Sequence, residues 1–326
     1  MPILCRVTRG DFTESIHVVF AVAVDENGKS FFSTGDPHYL TCVRSALKPF
    51  QAAAAIKAGA VDAAGFSDRH IALMCASHKG EKEHVKTARH MLEKLDLTVN
   101  DYECGAHYPS DKGTRWRMIK KGEKALALHN NCSGKHVGML ALAKHLNQGI
   151  YNYTRKNHPV QEMIFTLLQE YTGLEKIPTS IDGCSVPTPF MTLTTIARLF
   201  QKLGTGSYPE LKRAYNAMVK HPFLISGSDT FDTLFIETMK GRGVTKIGGE
   251  SIRGVSIKKA DGGCIGLALK VLDGNFRALS PATMRLLEHL QLLDKKELSR
   301  LERFSTIGLK NHNQINIGRI EAMVDE

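Results

Sequence analysis

The chain has 326 residues, 42% of them hydrophobic and 23% charged, the balance of an ordinary globular protein with enough length to bury a large core. Its apolar runs, such as 18–24 and 52–56, fall far short of a membrane span, and Met1-Pro2-Ile3-Leu4-Cys5-Arg6 lacks the basic segment and apolar stretch of a secretion signal. No membrane partner and a cytoplasmic setting are therefore expected, and seven cysteines without framework spacing favour reduced thiols. The net charge of +10 invites acidic partners, but the basic residues are spread along the chain, aromatic residues amount to 7%, and no zinc-finger or RNA-binding signature occurs; no nucleic-acid partner is expected.

From the N-terminus the pattern predicts strands at 4–8, 15–24 and 30–33, the last two joined by Asp25-Glu26-Asn27-Gly28, where Asn-Gly is a strong hairpin signal. Helical periodicity follows at about 47–58, closed by Gly59, then at about 82–95, 135–145, 160–172, 192–202 and 209–220. Strands return at 254–258 and 263–271 around the turn Lys259-Ala260-Asp261-Gly262, and helices at 281–293 and 296–303 come after them. Strands at both ends of a helical middle predict an α/β (α+β) fold, with one antiparallel sheet formed from both chain ends and flanked by helices. No linker, repeat or low-complexity stretch marks a boundary, so a single domain over 1–326 is expected, with the helical middle, about 82–245, as a subdomain at most.

Ser45 and Lys48 form an S-x-x-K step at the start of the first predicted helix, on one helical face. A lysine in a partly dry pocket can lose enough of its pKa to take the proton of a serine hydroxyl, although the spacing alone equally suits a solvated helix-start serine. Cys75-Ala76-Ser77-His78-Lys79-Gly80-Glu81 and Asn130-Asn131-Cys132-Ser133-Gly134-Lys135-His136 repeat the construction, a small nucleophilic residue in a polar turn before a helix. Free backbone N–H groups at such turns suit an oxyanion or a carboxylate, while ordinary capping explains any one of them. Lys246-Ile247-Gly248-Gly249-Glu250 resembles the K-[ST]-G strand of serine acyl-transfer enzymes of the β-lactamase type, with isoleucine where the hydroxyl residue would be. Cys132 and Cys184 lie too far apart in sequence to form a recognisable metal spacing, and on spacing alone they read as buried thiols.

Together these segments resemble the rhizobial-type L-asparaginase II family. The matching stretches are Val7-Thr8-Arg9-Gly10, Arg44-Ser45-Ala46-Leu47-Lys48-Pro49-Phe50-Gln51, Cys75-Ala76-Ser77-His78, Cys104-Gly105-Ala106-His107, Asn131-Cys132-Ser133-Gly134-Lys135-His136 and Asp182-Gly183-Cys184, in that order. The resemblance implies a serine β-lactamase-like and glutaminase-like fold, hydrolysis of L-asparagine to L-aspartate and ammonia, and a homodimer. It also implies two serine-lysine pairs, Ser45 with Lys48 and Ser77 with Lys246, and makes Arg44, His78, Gly248 and Gly249 substrate-binding candidates. A zinc ion, one per chain, is implied on Cys132, Lys135 and Cys184, supporting substrate binding more than generating the nucleophile. The chain departs from the family pattern at 226–232, which lacks a glycine-arginine pair after His221-Pro222, and at Ser185, where glycine is common. The competing expectations are a glutaminase or other small-amide hydrolase on the same scaffold, and a catalytically silent metabolite-binding relative.

Overall fold

The computed structural model describes residues 1–260 and 262–324. Its strands are β1 (Ile3–Arg9), β2 (Phe12–Val24), β3 (Ser30–Thr34), β4 (Leu40–Cys42), β5 (Thr179–Ile181), β6 (Pro187–Thr192), β7 (Gly243–Gly248), β8 (Ile252–Lys258), β9 (Cys264–Val271), β10 (Thr306–Lys310) and β11 (Asn316–Met323). The chain divides into a sheet unit, made of 1–46, 191–205 and 237 onward, and a helical unit, made of 47–190 and 206–236.

In the sheet unit the strands run β10-β11-β1-β2-β9-β8-β7, each antiparallel to its neighbour, and β3 pairs with β2. The sheet is therefore drawn from both chain ends. Helices cover it on both faces, which explains why β9 is buried along its whole length instead of alternating. Gly254 and Gly266 admit the helix Leu193–Thr205: a Cβ on Gly254 would stand 1.9 Å from the Phe200 ring, and one on Gly266 2.0 Å from the Ala197 carbonyl. Arg253 faces the other way, as alternation along a strand requires, and donates to Thr283 Oγ1 at 3.0 Å in the helix Leu279–His289.

Most predicted elements lie within a few residues of the observed ones. The first helix is Lys48–Lys57, and Gly59, at φ 81, takes the left-handed position beyond its end. Asp261 of the predicted turn lies outside the described residues. The β10–β11 hairpin was not expected from the pattern: β10 alternates between exposed and half-buried positions with no buried residue, so its apolar signal is weak, and its place is set by β11 pairing with β1 at Leu4↔Met323 through Val7↔Ile320.

The helical unit is organised around Lys48–Lys57, whose residues 48–56 are all buried. Its run of four alanines lets the helices Ser133–His145, Pro159–Thr172 and Pro209–Lys220 close on it, so it has no polar face to show to water. Among the described residues no helix is long and apolar enough to cross a membrane.

The helix Asp68–Met74, which leads into the Ser77 turn, is anchored at its start by a histidine. His70 Nδ1 accepts from the Ser67 backbone N–H at 2.9 Å, and its Nε2 meets His90 Nδ1 at 3.1 Å. Burial first, then the neighbouring His90, Lys94 and Arg69, lowers the His70 pKa from 6.5 to about 4. A group whose folded pKa is depressed in this way binds its proton more readily when unfolded, so stability is full above about pH 6.5 and is lost as pH falls toward 4. Urea unfolding should record a loss of roughly 2–3 kcal/mol across that window that is much smaller in His70→Gln. Equal pH dependence in the two proteins would remove His70 from the account.

Candidate active site

Ser45 lies in a 3-10 turn, Arg44–Leu47, that continues into the Lys48 helix because Leu47 is itself in the right-handed helical conformation. Pro49 fits the first helical turn, where its missing N–H goes unneeded. The turn starts from an unusual backbone, Arg44 at φ 51, a conformation that costs a non-glycine residue about 1–2 kcal/mol.

Within the helical unit Lys48 is fully buried and bonds to the Ala76 carbonyl at 2.5 Å, the Asn131 carbonyl at 3.0 Å and Ser77 Oγ at 3.0 Å, with the Cys132 thiol group as a further partner. Two of these partners can only accept. A neutral amine has two N–H donors and one lone pair, so donating to both carbonyls leaves its lone pair for a partner able to donate, and the Ser77 hydroxyl at 3.0 Å is such a partner. Burial lowers the Lys48 pKa and favours that neutral form; Lys135 adds to the effect and Cys132 and Cys184 oppose it. Sequence reasoning paired Lys48 with Ser45 and missed the two carbonyls, which carry no side-chain signature.

The Asn131 carbonyl belongs to the turn that also presents Cys132. Asn130 shapes this turn, taking the Cys132 N–H on Oδ1 at 2.8 Å and donating Nδ2 to the carbonyls of Cys104 (2.8 Å) and Gly105 (3.1 Å). Gly134 then lets the new helix dock against Asp68–Met74: a Cβ there would lie 2.1 Å from the Leu73 carbonyl oxygen. This contact brings the Cys132–Lys135 turn beside the chain leaving Leu73 toward Ser77. His78 is almost completely buried and braces the same place. Its Nδ1 accepts from the Gly80 N–H at 3.1 Å, so Nε2 carries the proton and donates to Ser133 Oγ at 2.9 Å. Burial, and then His84 and Lys48, keep that ring neutral.

Cys132, Lys135 and Cys184 converge within the helical unit and are buried. Lys135 Nζ meets Cys184 Sγ at 2.9 Å, and the two thiol groups are hydrogen-bonded to each other. The Cys184 hydrogen bond, with help from Lys48 and Lys135, pulls the Cys132 thiol well below its usual range against the effect of burial. Burial alone would lower Lys135, but the Cys132 and Cys184 sulfurs hold it above its ordinary value. Two sulfurs and an amine are donors that zinc accepts, so the residues present fit such an ion. Among the described residues no group of three or more His, Cys, Asp and Glu side chains is gathered for a metal; this set holds two cysteines and takes lysine as its third donor.

In the sheet unit, β7 carries Lys246, fully buried, with Nζ on its neighbour's carbonyl, Ile247 O, at 2.7 Å. Gly248 lies against the Ser45 turn: a Cβ there would stand 2.8 Å from Val43 O and 3.1 Å from Ala46 N. Gly249 lies against Arg44, whose guanidinium carbon would be 3.0 Å from an added Cβ. Arg44, Ser45, Gly248 and Gly249 are thus gathered in one unit, and Lys48, Ser77, His78, Cys132, Lys135 and Cys184 in the other.

A neutral lysine amine on a serine hydroxyl can accept that hydroxyl's proton. The family profile described as L-asparaginase II matches residues 5–322. The chain belongs to the L-asparaginase II family, a family of amidohydrolases. The serine β-lactamase-like fold expected of it accords with an antiparallel sheet drawn from both chain ends and flanked by helices. Among solved structures, the chain is similar to Mglu in its native form, at 14% identity over 86% of this chain and 63% of that one, with a TM-score of 0.39. It is also similar to the tris and glutamate form of Mglu, at 16% identity over 84% and 59%, with a TM-score of 0.37. The chain thus spans less than two thirds of the length of these structures. No curated protein matches it.

Proposed function

We propose that this chain hydrolyses the side-chain amide of L-asparagine to L-aspartate and ammonia by serine-lysine acyl transfer, the whole chain acting as one domain. The observation that carries the reading is the buried Lys48 amine, bonded to two carbonyls and a serine hydroxyl. Ser45 attacks the amide carbon as its proton passes, through Ser77, to the neutral Lys48, and backbone N–H groups steady the tetrahedral oxyanion. The intermediate collapses to a Ser45 ester as Lys48 returns the proton, through Ser77, to the departing ammonia. Water then cleaves the ester as Lys48 accepts its proton and passes it back to Ser45 Oγ, which restores the serine hydroxyl and the neutral amine as aspartate leaves.

Lys246 serves Ser77 as a second lysine, and Arg44, Gly248 and Gly249 contact the substrate. His78 acts through Ser133 as a positioning residue, since its ring is committed at both nitrogens. Cys132, Lys135 and Cys184 would hold zinc, which when bound supplies positive charge to orient and polarise the substrate. Family membership supports a homodimer, and the absence of a disulfide among the described residues favours a cytoplasmic setting.

Ammonia release from asparagine and from glutamine tests the reading. One methylene of difference in a fitted pocket is worth about 10- to 200-fold, so kcat/KM for asparagine is expected to exceed that for glutamine by at least about tenfold. The reverse order would make the chain a glutaminase. Binding of either amide without ammonia release would make it a silent relative.

A further inference from the structure

The thirteen residues 112–124 carry six lysines and arginines against the single acid Glu123, half of the chain's net charge of +10. Most of them form the helix Lys112–Lys120 of the helical unit. Asp111 caps it by accepting from the Thr114 N–H at 2.7 Å, and Gly122, at φ 67, turns the chain back beyond its end. Of its residues only Thr114 and Met118, one turn apart, are buried, so the helix rests on the protein by one narrow edge. Trp116 falls midway between them in sequence, which puts it about 180° around the helix from the buried edge. It is the one tryptophan of the chain and is 69% exposed; Ile119, one turn on, is 44% exposed. Lys112 and Lys120, four residues to either side of Trp116, share its face, and Arg115 and Arg117 flank it. None of the six basic side chains has a salt bridge among the described residues.

An apolar apex ringed by unpaired cations suits a partner that is negatively charged at its surface and apolar beneath it. A second copy docking through the same face would set net positive charge against net positive charge, which opposes the contact. A nucleic acid offers phosphates and a base to stack on Trp116, but no apolar bed for Ile119. An anionic bilayer supplies both: headgroups for the cations, and the acyl boundary under them for the indole and the isoleucine. We propose that the helix Lys112–Lys120 docks the protein on an anionic phospholipid surface, with Trp116 and Ile119 entering the interface and Lys112, Arg115, Arg117 and Lys120 on the headgroups. The chain lies on such a surface without spanning it. Two apolar side chains within a run of charges make no apolar stretch, so hydropathy along the sequence does not register the site.

Because Trp116 is the one tryptophan, its fluorescence reports on this helix directly. The test titrates the full-length protein with vesicles of phosphatidylserine mixed with phosphatidylcholine, and of phosphatidylcholine alone, reading co-sedimentation and Trp116 emission. Binding to the mixed vesicles with a blue-shifted emission is expected, and none to phosphatidylcholine alone. Each basic residue near an anionic surface is worth about fivefold in partitioning, so Arg115→Gln, Arg117→Gln and Lys120→Gln together should weaken binding at least about tenfold. Trp116→Ser, followed by sedimentation, should lose at least about tenfold as well. Lys295→Gln, Lys296→Gln and Arg300→Gln together remove the same charge from another exposed helix face, on Lys295–Leu301, and should leave binding within about twofold of wild type. Equal losses in the two triple variants would overturn the proposal, since net charge would then explain the binding. So would a wild type that does not bind, or that binds with Trp116 emission unchanged. A single-stranded oligonucleotide that shifts the emission where vesicles do not would overturn it in favour of nucleic acid, and a wild-type dimer that dissociates in Trp116→Ser would make the face a contact between copies.

Discussion

Lys48→Met is expected to lower kcat by at least about a thousandfold, because it removes the only base the reading assigns to both the attack and the departure of ammonia. Methionine keeps most of the volume, but it strips the Ala76 and Asn131 carbonyls of a donor. A stability loss of roughly 1–3 kcal/mol should accompany the change, and urea unfolding separates that from catalysis. Ser45→Ala and Ser77→Ala should each cost at least about a hundredfold. Lys48→Met combined with Ser77→Ala should be no slower than Lys48→Met alone, since the relay has nothing to pass on once the base is gone. Near-normal turnover in folded Lys48→Met would reject the mechanism. Acid quenching followed by peptide mapping locates the ester: an adduct on Ser45 is expected, and one on Ser77 would exchange the roles of the two serines.

The second large effect concerns the thiols. The purified protein should carry about one zinc per chain, and Cys132→Ser and Cys184→Ser should each weaken its binding at least about a hundredfold, because a hydroxyl does not replace a thiolate as a zinc donor. Removing zinc from the wild type should raise KM more than it lowers kcat, as expected of an ion that orients substrate while a serine attacks. A fall in kcat alone, with KM unchanged, would put the ion in the chemical step. Unchanged zinc content in both serine variants would place the metal elsewhere or nowhere.

The amino-acid sequence by itself determined the sheet drawn from both ends, the buried alanine-rich helix and the places of the three polar turns. Those features are written in local signals: apolar runs such as β9, the four alanines after Lys48, the glycine at 59. The motifs also named Ser45, Ser77, Cys132, Lys135 and Cys184, because each stands in an ordered stretch with its own turn chemistry. Tertiary structure alone decided who meets whom. Lys48 bonds Ser77 and two carbonyls, groups 28 to 83 residues away, and backbone carbonyls leave no trace in a residue pattern. Gly134 reads as an ordinary helix-start glycine until Leu73 is found against it. The physical reason is the same in each case: propensity and periodicity act over a few neighbouring residues, while the site depends on helices from distant parts of the chain packing closely enough for single atoms to matter.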